Sequence, residues 1–198
     1  MNMIKPLFFF YLISIQLAYA QTGEIMHLAA EPAYSTIQFS VPISNGLTRV
    51  TGKFNMFTIE IDLVDNDITK SRIKAVIKVS SINTGNTMRD TNLMGSIFFD
   101  AKKFPEIVFV SEKITKNGNG FIASGQFQMH GITRPMELPF TITGRKGEDL
   151  IGFSSRYSIL RSAYNLGMEF KHATDDNFID NEIGIEIDFW TKILRINR

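Results

Sequence analysis

Along most of the chain, apolar and polar residues trade places at every second position. Ile37, Phe39 and Val41 alternate with Thr36, Gln38 and Ser40, which sends the large apolar groups to one face of a strand and the small polar ones to the other. Val50, Gly52, Phe54 and Met56 share one parity and Phe57, Ile59, Ile61 and Leu63 the opposite one, so a bulge or bend is predicted near Met56 and Phe57. Ile73, Ala75, Ile77 and Val79 continue the period, and Ile107 to Val110 is a nearly unbroken apolar run around Phe109. The stretch Asn117-Gly118-Asn119-Gly120 then predicts a hairpin into Phe121, Ala123, Gly125, Phe127 and Met129. Met136, Leu138, Phe140 and Ile142 form the next strand, Gly147 to Asp149 the next turn, and Ile151, Phe153, Ser155, Tyr157 and Ile159 the strand after it. Finally Ile183, Ile185, Ile187 and Phe189 alternate with Glu182, Gly184, Glu186 and Asp188. About eight such segments joined by short polar turns predict an all-β fold, a closed antiparallel barrel or a sandwich, because an open sheet of that size leaves unpaired edges.

Three stretches break the ladder. A short helix is expected over about 86–94, where Thr84 or Asn86 supplies a cap and Gly95 a stop. Asp100 to Phe104, halted by Pro105, is expected to add one helical turn. Residues 161–180 have the weakest periodicity and are expected to form a long loop, a feature that in a compact domain carries function or mobility. The N-terminus reads differently again. Lys5, the apolar run Leu7 to Ile15, and Ala18 and Ala20 before Gln21 match a cleaved signal peptide over 1–20, with a single domain over 21–198. The apolar run is shorter than the roughly 20 residues that a hydrocarbon core demands, so no transmembrane segment is expected.

Composition narrows the chemistry. With no cysteine, disulfide scaffolds, zinc ribbons, thiol redox motifs and cysteine nucleophiles drop out, and export without disulfides suits a periplasmic or secreted protein. The first twenty residues hold one Lys and no acid, so the remaining chain is formally neutral and offers no long-range field for nucleic acid. His27, His130 and His172 have no metal-ligand spacing. Asp175 with Asp176, and Asp180 with Glu182, read as solvated loop charge. No nucleophile elbow and no dinucleotide fingerprint is present. No catalytic residue, metal or cofactor is therefore assigned. What stands out is phenylalanine at inward parity on separate strands: Phe39, Phe54, Phe109, Phe127, Phe140 and Phe153. A barrel of about eight strands either fills itself with such side chains or holds one apolar ligand.

Several motifs go further. Ser80-Ser81-Ile82-Asn83-Thr84-Gly85-Asn86, then Arg89-Asp90 with Leu93, then Phe98-Phe99-Asp100-Ala101 running to Phe104-Pro105-Glu106-Ile107 and Phe109, then Gly125 and Phe127 leading into His130-Gly131-Ile132-Thr133-Arg134-Pro135 occur in order. Together they resemble the YceI-like family of periplasmic polyisoprenoid-binding proteins over about residues 28–190. The resemblance implies an eight-stranded, lipocalin-like antiparallel barrel whose apolar interior holds a long isoprenoid chain, as in a polyprenyl phosphate or a quinone tail. Its interior would comprise Ile37, Phe39, Phe54, Ile77, Phe98, Phe109, Phe127, Leu138, Phe140, Phe153, Ile185 and Ile187, with Arg89, Asn92 and Arg134 as candidate head-group contacts. Tyr34-Ser35 stands where the family often has His-Ser, and Asn92 where it often has His, two polar positions expected near the mouth. Arg89 and Asp90 have a second reading, as a pair that locks the helix to the barrel, and Arg134 as part of a turn before Pro135. The expected function is a non-enzymatic carrier, scavenger or store of an isoprenoid-type lipid, with a homodimer allowed. The alternatives are an enzyme acting on such a lipid and a packed barrel that serves as an interaction module.

Overall fold

The structure, a computed structural model, describes residues 24–147, 150–175 and 177–194; residues 1–20, the second half of the 147–149 turn and Asp176 lie outside that range. Among the described residues eleven strands run in chain order as β1 (Ile25–Ala30), β2 (Thr36–Ile43), β3 (Thr48–Phe54), β4 (Phe57–Val64), β5 (Asp67–Lys78), β6 (Ile82–Asn83), β7 (Glu106–Asn117), β8 (Gly120–Met129), β9 (Ile132–Lys146), β10 (Leu150–Leu160) and β11 (Glu182–Ile193). Among the described residues the single α-helix, α1, spans Thr87–Met94. Three pairs of these strands are halves of longer ones. A short 3-10 turn at Pro32–Tyr34 separates β1 from β2, Asn55 and Met56 separate β3 from β4, and a 3-10 turn at Val79–Ser81 separates β5 from β6. Counted as continuous strands there are eight, each antiparallel to its neighbour, and β11 closes the ring by pairing with β1 through Ala30↔Thr191 and with β2 through Ile37↔Ile187. The barrel and the bend at Met56 were both expected; β1 was not, and it is the strand that completes closure.

Up-and-down order sorts the connections by end. The turns at 65–66 and 118–119 lie at one end, which we call the floor. The opposite end carries the β2–β3 hairpin at 44–47, the segment 84–105 with α1, the tight turn at 130–131 and the 161–181 loop. β6 pairs with β3 over only two residues and has no pairing with β7, so the wall opens there and the 84–105 segment fills the gap. Asn86 caps α1 by accepting the Arg89 backbone N–H at 3.0 Å, and Gly95 ends it. Asp100 to Phe104 forms a hydrogen-bonded turn, with the Phe104 N–H on the Asp100 carbonyl at 2.8 Å.

The floor is packed solid. Leu28, Ile61, Leu63 and Ile151 come from three different parts of the wall and are all 0% exposed, the close-packed state expected of a core. Gly125 makes part of this wall possible. A Cβ there would collide with the Val110 carbonyl and the Ser111 backbone across the β7–β8 ladder, so the approach of the two strands requires glycine.

Candidate functional site

Above the floor the barrel holds two cavities, one over the other. The upper chamber has a volume of about 380 Å³ and opens between the β2–β3 hairpin, α1 and the 161–181 loop. The lower one measures about 60 Å³. Ile37, Ile77, Ile107, Phe127, Tyr157 and Ile187 line both and form a waist between them.

Every interior residue named from the sequence lies on one of these walls. Ile37, Phe39, Phe54, Ile77, Phe98, Phe127, Ile185 and Ile187 line the upper chamber. Phe109, Leu138, Phe140 and Phe153 line only the lower one, so the six phenylalanines do not share a single cavity. The reason is packing: Phe140, Phe153 and Phe189 sit on adjacent strands, and their rings fill the bore, Phe153 stacked on Phe189 at 4.8 Å and Phe140 tilted against Phe153 at 6.0 Å.

The three candidate head-group residues separate. Arg89 and Asn92 line the mouth of the upper chamber. Arg134 does not: its Nε–H donates to the Ala163 carbonyl at 2.8 Å and holds the 3-10 turn Arg161–Tyr164. His130 does the same one turn earlier. Its Nδ1 lies 2.9 Å from the Tyr164 carbonyl, and because a carbonyl only accepts, that nitrogen carries the proton. The His-Gly-x-x-Arg stretch is thus a clamp on the loop over the barrel. Gly131 belongs to the clamp as well, with φ of +74° and Phe104 where a Cβ would sit.

Arg89 and Asp90 do not bridge each other. Both converge on Thr84: the Thr84 N–H and hydroxyl donate to Asp90 Oδ1 at 2.9 and 2.6 Å, while Arg89 Nε and Nη2 donate to the Thr84 hydroxyl and carbonyl at 2.9 and 3.2 Å. The helix is thereby tied to the end of β6, with Arg89 still among the residues that line the mouth. Tyr34 lies away from the opening, exposed at the β1–β2 break and edge-on to Trp190 at 5.0 Å. Of the two altered polar positions only Asn92 is at the mouth.

Sequence reasoning passed over the residues of the long loop. Leu166, Phe170, Phe178 and Ile179 form the loop side of the upper chamber, and Arg161 organises them. Its Nε donates to the Asp180 carbonyl at 2.9 Å, Nη1 to those of Leu166 and Gly167 at 3.2 and 3.0 Å, and Nη2 to that of Ile179 at 2.9 Å. Partial burial pulls this guanidinium below its ordinary range, against the opposing pull of Asp180. Isolated apolar residues in an otherwise polar stretch were the available signal. The histidines take unrelated places: His27 Nδ1 meets Asp62 Oδ1 at 2.7 Å on the exterior, and His172 stacks on Phe178 at 4.0 Å.

The chamber is closed at the floor, apolar along its depth and covered by a clamped loop. The model of the YceI-like domain matches residues 28–190. The chain belongs to the YceI-like family. A UPF0312 protein of Yersinia pestis (strain Pestoides F) is 29% identical over 112 residues, 57% of this chain, and the match spans 58% of that relative's length. A UPF0312 protein of Vibrio campbellii is 27% identical over 176 residues, 88% of this chain and 92% of its own. In three dimensions the barrel is similar to Burkholderia cenocepacia BcnA, with a TM-score of 0.72 at 22% identity over 81% of this chain and 98% of BcnA. It is also similar to a polyisoprenoid-binding domain from Saccharophagus degradans, with a TM-score of 0.66 at 15% identity over 86% of this chain and all of that one. Those likenesses establish the barrel. The 80–107 and 130–135 motifs lie at the open end or on the wall next to it, while Gly125 and Phe127 lie lower on β8.

Proposed function

We propose that the protein is an exported, non-enzymatic carrier or store that holds an isoprenoid-type lipid in the barrel, tail inside the upper chamber. The observation that carries this reading is the blind apolar chamber of about 380 Å³, since a packed module has no use for a void of that size and each unfilled cavity weakens a core. The described polyisoprenoid binding of the Saccharophagus domain, which shares the fold, adds support. Capacity follows from volume. At roughly 30 Å³ per water-sized group, the chamber seats on the order of a dozen carbon groups, so a longer chain emerges at the mouth past Arg89 and Asn92. A signal peptide over 1–20 would place this carrier in the periplasm or outside the cell.

Native mass spectrometry of the exported protein tests the reading. One apolar adduct per chain is expected, and an empty barrel that takes up no added prenyl chain would overturn it, as would chemical turnover of the adduct. Phe39→Trp should sharpen the result, because extra bulk at the upper wall lowers occupancy while the void absorbs the added volume and stability changes by less than about 1 kcal/mol.

A further inference from the structure

The waist between the two cavities contains one polar side chain that the fold does not use. Tyr157 points inward from β10, at the parity of Phe153 and Ser155, and lines both cavities. The surface it keeps faces the cavities, and among the described residues its hydroxyl has no hydrogen-bond partner. Its neighbours at the waist, Ile37, Ile77, Ile107, Phe127 and Ile187, are all apolar. Ser155, the nearest inward hydroxyl on the same strand, gives its proton to the Pro139 carbonyl at 2.6 Å. Tyr157 is half-buried, and no side-chain oxygen among the described residues is both sealed off and unpartnered, so this hydroxyl stays open to the chamber; a water at the waist would have one fixed partner where buried waters usually have about three. An unspent donor here is a site waiting for an acceptor that arrives with the ligand.

Resting on the lipid-holding reading, we propose that Tyr157 donates a hydrogen bond to a neutral oxygen, of carbonyl type, on the end of the ligand that enters first, so that this end lies at the waist and the chain runs toward the mouth. Neutrality follows from the surroundings. An anion at the waist would be stripped of water with no cation beside it, since the guanidinium groups on the chamber wall, Arg89 and Arg161, are tied to Thr84 and to the loop carbonyls. Burial, with the Tyr164 phenol adding to it, holds the Tyr157 phenol well above its ordinary range, so it stays protonated and keeps a proton to donate.

Three probes built on a fifteen-carbon isoprenoid skeleton separate the possibilities: farnesylacetone, which ends in a ketone; farnesane, a saturated hydrocarbon with no oxygen; and farnesyl phosphate, which is an anion. Binding of each to the wild-type protein and to Tyr157→Phe is measured by titration, with the melting temperature of both ligand-free proteins. Loss of one neutral hydrogen bond should weaken farnesylacetone by about three- to tenfold and leave farnesane unchanged. The ligand-free variant should melt no lower than wild type, because no bond in the protein is lost. Equal effects on ketone and hydrocarbon, no effect on either, a lowered melting temperature, or dependence of the phosphate alone on Tyr157 would overturn this assignment and leave a lipid-holding barrel. Failure of all three probes to bind the wild-type protein would overturn both.

Discussion

The two halves of the barrel use the same residue for opposite ends. In the lower half Phe140, Phe153 and Phe189 come from adjacent strands that run without a break, although the β9–β10 register shifts between Gly152 and Phe153, and their rings meet each other and leave about 60 Å³. In the upper half Phe39 and Phe54 lie at 5.8 Å and Phe54 and Phe99 at 6.0 Å, yet about 380 Å³ stays open. The difference lies in the backbone. Three neighbouring strands break at the same level, at 32–34, 55–56 and 79–81, and above the breaks the wall departs from β7, leaving helix and loop to span the gap. Ring count does not decide whether a barrel is core or container; strand continuity does.

Truncating one ring in each half should break the symmetry most strongly. Phe153→Ala removes a ring that is 3% exposed and stacked on its neighbours, and should cost about 3–5 kcal/mol. Phe39→Ala removes one that already borders a void, so fewer contacts are lost and the cost should fall below about 2 kcal/mol. Urea unfolding of the two variants checks this, and equal losses would mean that the upper half is as tightly packed as the lower in solution.

Strand parity made the lower half legible from sequence. Ile183, Ile185, Ile187 and Phe189 alternate with polar residues because the outer face of the barrel meets water and the inner face does not. The same rule already placed Tyr157 inside; what parity cannot show is that its hydroxyl lacks a partner. β1 escaped notice because Ile25-Met26-His27-Leu28-Ala29-Ala30 has small or apolar residues at both parities, and only its pairing with β4 and β11 settles its conformation. The upper half depends on contacts between residues far apart in the chain. Arg134 meets Ala163 across 29 positions, and Phe170 and Phe178 face the chamber from a segment with no period at all. Spacing rules do not reach such contacts, which is why Arg134 was open to a head-group reading.

The loop side of the chamber should be more easily undone than its strands. Arg161 holds four backbone carbonyls of the loop and its flank, so Arg161→Met keeps the stem and loses the fork. A stability loss of about 2 kcal/mol is expected, since charged donors are worth more than neutral ones but this site is partly solvated. The sharper signature is local: amide exchange over 166–180 should accelerate while β4 and β7 amides keep their protection. Uniform acceleration would mean that loop and barrel unfold together.

The smallest effect is expected on the exterior. Arg156 Nη2 and Nη1 reach the two carboxylate oxygens of Asp188 at 2.5 and 3.2 Å, with Glu186 3.5 Å from Nε. The bond from Arg156 holds the Asp188 carboxyl below its ordinary range, with partial burial opposing. A carboxylate whose folded pKa is depressed stabilises the fold above its unfolded value, near about 4, and loses that contribution as pH falls through the lower, folded value. Both side chains of this pair are 48% exposed, so solvent screens the interaction to less than about 1 kcal/mol. Asp188→Asn should therefore lower the melting temperature at pH 7 by no more than about 4 °C, and the gap to wild type should close as the pH is taken below 4. Ligand capacity should not change, because β10 and β11 remain paired through Phe153↔Phe189 and Tyr157↔Ile185 on the inner face. Parallel melting curves at pH 7 and pH 3, with prenyl-chain uptake measured at pH 7, check both parts. A loss of uptake in this variant would mean that charge on the outer wall helps set the shape of the cavity, and the contrast between the two halves would no longer rest on strand continuity alone.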